Sequence, residues 1–323
     1  MADEVYHVPA LLEECIKALE IKPDGVYADA TFGGGGHSRA ILRALGPGGR
    51  LFGFDQDADA LANRPDDARF TFVYSNFRFL RNFMRFYGID RFDGILADLG
   101  VSFHHFDDAS RGFSFREDAP LDMRMNRRAG RSAASIVADW SEEELRDMFR
   151  KFTDLRQAPA VARAIVKARG LSPITTTGDL ARAVAPALNP KSEKKDLAQV
   201  FQAFRIEVNR ELDALSEFLL QMPQVLKPGG RLAVLTYHSL EDRLVKNFFK
   251  TGNLAGVEHK DFYGRAQTCW KLINRSPITA SPEEVERNPR SRSAKLRVAE
   301  FIGDVGISDS EGATPSLTPQ NVL

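Results

Sequence analysis

Short apolar runs alternate with helix-length amphipathic stretches over the first hundred residues. Val26 to Ala30, Leu51 to Phe54, Phe70 to Tyr74 and Gly94 to Leu99 are bounded by Gly, Pro, Asp or Asn, the pattern of buried strands. A helix from about Ser38 to Leu45 separates the first two, and Gly46-Pro47-Gly48-Gly49 turns the chain back. Such alternation predicts βαβ units and a mostly parallel sheet. From about Phe106 to Arg205 the period changes. Ser141 and Glu144 form a capping box, and Leu145, Met148, Phe149 and Phe152 fall on one helical face. Val161, Ala164, Ile165 and Ala168 repeat that spacing before Gly170. One long helix is expected from about Asp196 to Leu220, followed by Pro228-Gly229-Gly230, a strand from Arg231 to Tyr237 and a helix near Leu240 to Lys250. Cys269 to Ile273 and Leu296 to Phe301 read as a terminal antiparallel pair. The expected organisation is a discontinuous α/β domain, residues 1–106 and 205–302, interrupted by an all-helical domain, residues 107–204. Residues 303–323 mix Ser, Asp, Gly, Thr and Pro without period and read as a disordered tail.

Chemistry enters at the first strand–helix junction. Asp29-Ala30-Thr31-Phe32 runs into four consecutive glycines, Gly33 to Gly36, and Asp55 follows Gly36 by nineteen residues at the end of the next strand. Glycines there let a backbone approach a nucleoside, and a carboxylate about 20 residues on can accept both ribose hydroxyls. The loop lacks the GxGxxG spacing of a dinucleotide site. Asp29 would repel a pyrophosphate yet attract an ammonium or sulfonium, which favours S-adenosylmethionine over NAD.

Composition narrows the classes further. A chain of 323 residues can bury two ordinary cores, and its formal net charge of zero supplies no global field toward nucleic acid, so any such contact must be local. Arg124 to Arg169 holds eleven basic residues against six acids, and Arg287, Arg290, Arg292, Lys295 and Arg297 form a second cluster without an acid between them. Both could track phosphates or form solvated faces. Two cysteines, Cys15 and Cys269, make neither a disulfide framework nor a cysteine-rich zinc site. The N-terminus is acidic, and no run of about 18 apolar residues occurs, so a cytoplasmic protein without a membrane segment is expected.

Asp98 ends the fourth strand, on the side where such sheets hold their ligands. Methylation of cytosine at carbon 5 would require a thiolate, and no cysteine lies near this strand. An exocyclic amine instead needs acceptors for its hydrogens, a role open to Asp98; holding the methyl donor is the other. Tyr237 and His238 end the fifth strand and could flank a flipped base, or be an ordinary buried tyrosine and loop histidine. His7, His37, His104, His105 and His238 show no metal-ligand spacing, so no metal is expected.

Several motifs occur together in order: Asp29 to Ser38, Asp55, Asp98-Leu99-Gly100-Val101-Ser102, Arg111-Gly112-Phe113-Ser114-Phe115, Pro120 to Met125, Tyr237 to Arg243 and Asn288 to Ser293. With Glu13-Glu14 and Asp24-Gly25, they resemble the RsmH, or MraW, family over about His7 to Glu300. That family consists of bacterial methyltransferases that modify N4 of a cytidine in the decoding region of 16S ribosomal RNA. The resemblance implies a class I S-adenosylmethionine-dependent methyltransferase, Rossmann-like with a mostly parallel sheet and an inserted all-helical domain. It implies 16S rRNA, within the small ribosomal subunit, as partner, and a monomer or homodimer. Donor contacts carry over onto Gly35, Gly36, His37, Asp55, Phe77 and Asp98. Ser102-Phe103-His104-His105 stands where the family often has Ser-Ser-Pro-Gln; His105 can replace the glutamine contact through a ring nitrogen. The other readings are a DNA amino-methyltransferase, which should show an Asp-Pro-Pro-Tyr motif after strand four, a Rossmann oxidoreductase, and a non-catalytic ribosome-assembly factor keeping the fold.

Overall fold

The computed structural model describes residues 9–100, 108–128, 130–260, 262–264 and 267–303. His7, the segment Val101 to His105 and the expected tail from residue 304 lie outside these. Helix α1 (Leu12–Leu19) precedes β1 (Val26–Asp29), α2 (Gly36–Ala44), β2 (Arg50–Asp55), β3 (Phe70–Tyr74), α3 (Leu80–Phe86) and β4 (Phe92–Asp98). Five helices follow: α4 (Ala133–Asp139), α5 (Glu142–Phe152), α6 (Ala158–Arg169), α7 (Thr177–Val184) and α8 (Glu193–Asn209). The chain then forms α9 (Glu211–Val225), β5 (Leu226–Thr236), α10 (Ser239–Thr251), β6 (Trp270–Leu272), β7 (Ile278–Thr279), α11 (Pro282–Arg287) and β8 (Lys295–Phe301).

The strands make one sheet of order β3-β2-β1-β4-β5-β8-β6, with β7 also pairing β8. Neighbours from β3 to β5 are parallel, while β8 runs antiparallel to β5, β6 and β7. This is a Rossmann-like α/β fold. The order reverses between β1 and β4, and in open parallel sheets ligands bind where strand order reverses, at the carboxyl ends.

Strand alternation builds two cores. Ala28, Phe52, Phe54, Ile95, Ala97 and Val234 point to the face covered by α3, α9 and α10. Tyr27, Leu51, Leu96, Ala233 and Leu235 point to the opposite face, against α1 and α2. Successive side chains of a strand point to opposite faces, so a two-sided core needs apolar residues at every position, which is why these strands read as continuous apolar runs. A third core belongs to the helical segment and gathers Leu145, Met148, Phe149, Phe152, Val161 and Ile165 with Phe201 and Phe204. The predicted capping box at Ser141 and Glu144 is present on α5.

One expected element is divided. Instead of a single helix from Asp196 to Leu220, the chain breaks at Arg210, which takes a left-handed conformation (φ 49°, ψ 45°). The cause is tertiary. Ile206 of α8 packs in the helical core, whereas Leu215 and Phe218 of α9 pack under the sheet. Asn209 anchors the corner: its Nδ2 donates to the Met123 and Arg205 carbonyls and its Oδ1 accepts from Met125 N–H at 2.7 Å.

Candidate active site

A cleft of about 1500 Å³ opens at the carboxyl ends of the parallel strands, roofed by the helical segment. Gly33, Gly34, Gly36 and His37 line it after β1, Asp55 after β2, Phe77 after β3 and Asp98 at the end of β4; Tyr237 and His238 follow β5. Of the donor contacts that the resemblance carries over, Gly35 alone among those described does not line the cleft. It is the turn residue that starts α2, with φ 74°, and a Cβ there would lie 2.9 Å from the Phe32 ring. His105 lies outside the described residues.

Asp29 corrects the sequence reading. It is fully buried and does not line the cleft. Its Oδ1 accepts from Thr31 N–H at 3.2 Å and its Oδ2 from the Ser38 hydroxyl at 2.6 Å. Burial pushes its carboxyl up, against the pull of His37 and Ser38, while burial also pushes the His37 imidazole down. Asp29 therefore staples the glycine loop to α2 from beneath and does not reach a donor cation. Asp55 does face the cleft: its Oδ2 accepts from Gly33 N–H and its Oδ1 from Asp57 N–H, both at 2.8 Å, which fixes the carboxylate across the loop.

Asp98 is held from three sides. Its backbone N–H donates to Thr31 Oγ1 at 2.6 Å, its Oδ1 accepts from the Tyr237 hydroxyl at 2.6 Å, and its Oδ2 lies 3.6 Å from His37 Nδ1. Burial pushes its carboxyl up to about 7, an effect opposed by the Tyr237 hydrogen bond and reinforced by the charge of Glu241. A carboxyl raised toward neutrality lies in the range where acid–base groups of enzymes work. His37 Nε2 is buried without a hydrogen-bond partner among the described residues.

Three further groups escaped the sequence reading. Glu241, on the first turn of α10, accepts from Tyr237 N–H at 3.0 Å and lies 3.0 Å from His238 Nε2. Burial would raise its carboxyl, but His238, the Tyr237 N–H and Arg205 outweigh burial and hold it low. The Tyr237-to-Arg243 motif thus serves in part as a helix cap that aims Tyr237. Arg205, on α8, donates through Nε and Nη2 to Glu211 at 2.9 and 3.0 Å and lines the cleft. Glu211, His238 and Glu241 bring ligand atoms within 4.8 Å of one another, but both Glu211 oxygens already face the Arg205 guanidinium.

Arg111 is the third. Its side chain is 1% exposed; Nη1 donates to Asp57 at 2.9 Å and Asp59 at 3.1 Å, and Nη2 to the Arg124 and Met125 carbonyls, both at 3.1 Å. It thereby ties the loop behind Asp55 to the start of the helical segment. A motif arginine was visible in the sequence; its carboxylate partners, in a different strand–helix loop, were not.

The basic clusters divide. Arg290 and Arg292 line the cleft. Arg297 instead forks onto Asp242 at 2.6 and 3.2 Å. Arg124 is paired with Asp122 at 2.6 Å, and Arg169 donates to the Val137 and Trp140 carbonyls, so these three brace the fold rather than await phosphates.

The model of the MraW methylase family matches residues 4–302. The chain belongs to this family. Among curated relatives it is 58% identical over 301 residues to ribosomal RNA small subunit methyltransferase H of Parabacteroides distasonis, covering 93% of this chain and 99% of the relative. The protein of the same name from Phocaeicola vulgatus is 56% identical over 299 residues, covering 93% and 98%. A solved structure titled as an rRNA methylase from Streptococcus thermophilus is 10% identical, covers 90% of this chain and 93% of its own, and superposes loosely at a TM-score of 0.38.

The family implies a sulfonium methyl donor, and the residues fit one. Gly36 could not carry a side chain, since a Cβ would lie 2.3 Å from Pro9 Cγ, and Gly33 and Gly34 expose backbone to the cleft. Asp55 presents carboxylate lone pairs at the place where a ribose diol would lie. His37 lies beside Asp98 through Nδ1, and its Nε2 has no hydrogen-bond partner among the described residues.

Proposed function

We propose that this chain transfers a methyl group from S-adenosylmethionine to the exocyclic N4 of a cytidine in the decoding region of 16S ribosomal RNA. The observation that carries the reading is the half-buried Asp98–Tyr237 pair, its carboxyl pushed up to about 7, at the floor of a cleft that no cysteine lines. When bound, the donor supplies an electrophilic methyl group on a sulfonium. The N4 lone pair of cytosine is delocalised into the ring. Ionised Asp98 would accept a hydrogen bond from the amine, hold the nitrogen for attack and take the proton released as the N–C bond forms, the sulfonium's S–C bond breaking to leave a neutral thioether. Tyr237 donates to Asp98 and keeps its carboxylate aimed, while His238 and Tyr237 flank the base. Gly36, His37, Asp55 and Phe77 hold the donor, Gly35 supplies the turn that presents this loop, and Asp98 also borders the donor. His105 is proposed for the family's glutamine contact.

The helical segment is proposed as an inserted substrate-recognition domain that runs from residue 107 past the expected boundary at 204 to Arg210, where the chain changes cores. Small ribosomal subunits rather than DNA are the proposed acceptor, because Asp98-Leu99-Gly100 lacks the Asp-Pro-Pro-Tyr motif. Nucleoside mass spectrometry of small-subunit rRNA incubated with the enzyme and donor should give N4-methylcytidine. A 5-methylcytidine product would overturn the mechanism, and no product with either rRNA or assembled subunits would favour a non-catalytic assembly factor.

A further inference from the structure

A second groove, of about 330 Å³, lies between α10 and the β6 edge of the sheet and shares no lining residue with the cleft. Lys246, Lys250, Arg275 and Arg297 line it together with Asn274 and Leu272, and no carboxylate does. Two of the four charges are compensated. Arg297 is forked onto Asp242, and Lys250 Nζ lies 2.6 Å from Glu258. Lys246 and Arg275 are exposed and have no hydrogen-bond or ion-pair partner among the described residues. Lys246 and Lys250 stand four residues apart on α10, a spacing at which like charges weaken a helix. Asn274 holds the β6–β7 turn that carries Arg275: its Nδ2 donates to the Ser276 and Leu296 carbonyls and its Oδ1 accepts from Val298 N–H.

Basic residues of the segment before β8 and of β8 itself lie between the cleft and the groove. Arg290 and Arg292 line the cleft just ahead of β8. Lys295, the first residue of β8, is in register with Thr236, next to Tyr237, and Arg297 is two residues further along the same strand. Along β8 Lys295 and Arg297 share Asp242 as partner, so the uncompensated charge of the groove is carried by Lys246 and Arg275, in a chain whose formal net charge is zero. Leu272, 39% exposed, adds an apolar wall suited to a ribose or base edge.

We propose that this groove is a second RNA-contact site, taking phosphodiester backbone that flanks the nucleotide held in the cleft. The inference rests on rRNA as the substrate. The test compares the full-length protein with the Lys246→Glu/Arg275→Glu double variant, and with the milder Lys246→Ala/Arg275→Ala in case charge reversal disturbs folding. Binding of a 16S rRNA transcript is measured over a range of salt, with donor binding by calorimetry alongside. The variants should bind the transcript about tenfold more weakly at moderate salt. The slope of log K against log salt should fall by about one and a half, as expected for two lost phosphate contacts. Donor affinity should be unchanged. Equal slopes for wild type and variants would overturn the groove. So would a defect confined to assembled small subunits with normal transcript binding, which would assign it to a ribosomal protein. Wild-type protein that binds the transcript yet methylates neither substrate would sink the functional reading alone, since the slope comparison still decides the groove.

Discussion

A carboxylate partly desolvated at the end of a parallel strand costs stability when ionised, and half-buried Asp98 is such a group. Its pKa is raised to about 7 from an ordinary value near 4, with burial as the main cause. A raised carboxyl pKa binds more protons in the folded than in the unfolded chain between those values. Asp98 therefore favours the fold at low pH, and that contribution is lost as pH rises through about 7. On the proposed mechanism catalysis runs the other way, because only the ionised form would accept from the amine. Methyl transfer at saturating substrates should rise with pH through about 7. Asp98→Asn should flatten that limb and slow transfer about tenfold to a hundredfold, the equivalent of roughly 1.5 to 3 kcal/mol. The Tyr237 hydroxyl pulls the Asp98 pKa down, so Tyr237→Phe should move the limb to higher pH. A pH–rate profile of the three proteins checks both expectations; a limb that survives in Asp98→Asn would assign it to another group.

Elements meet at two places that local pattern does not announce. At the α8–α9 corner, Arg210 holds a left-handed conformation that costs a residue with a side chain about 1 kcal/mol or more. Its ion pair with Asp213 is exposed and offsets little. Arg210→Gly should therefore stabilise the protein by up to about 1 kcal/mol in urea unfolding. A continuous helix would instead be weakened by about 1 kcal/mol by the same change, so the sign decides between corner and rod. The second place is Arg111, which joins the loop behind Asp55 to the helical segment. Arg111→Met leaves Asp57 without its buried cation and should cost about 3 to 5 kcal/mol. Because Asp57 N–H holds Asp55 Oδ1, donor affinity should fall as well. Calorimetry on the folded fraction would show normal donor binding if Arg111 were only a strut.

On the scale of the whole molecule, one cleft is built for two ligands from distant parts of the chain. Asp55→Ala should weaken S-adenosylmethionine by roughly 2 to 4 kcal/mol through two lost hydrogen bonds to a charged acceptor, leaving RNA binding intact. Arg290→Ala with Arg292→Ala should do the reverse, lowering RNA affinity and its salt slope while sparing the donor. Calorimetry and salt titration of the two variants would expose any mixing of the effects. The sequence by itself determined the strands and most helices, because a two-sided sheet demands unbroken apolar runs and an amphipathic helix a period near 3.6. It also determined the glycine loop, Asp55 and the strand-end position of Asp98, since each follows from local spacing. Only the tertiary structure decided that Asp29 is sealed beneath the loop, that Arg205 and Glu241 back the cleft, that Arg111 clasps Asp57 and that Arg210 is a corner. These depend on which core each side chain enters and on which charges burial brings together, and such pairings across loops and helices leave no periodic trace in the chain.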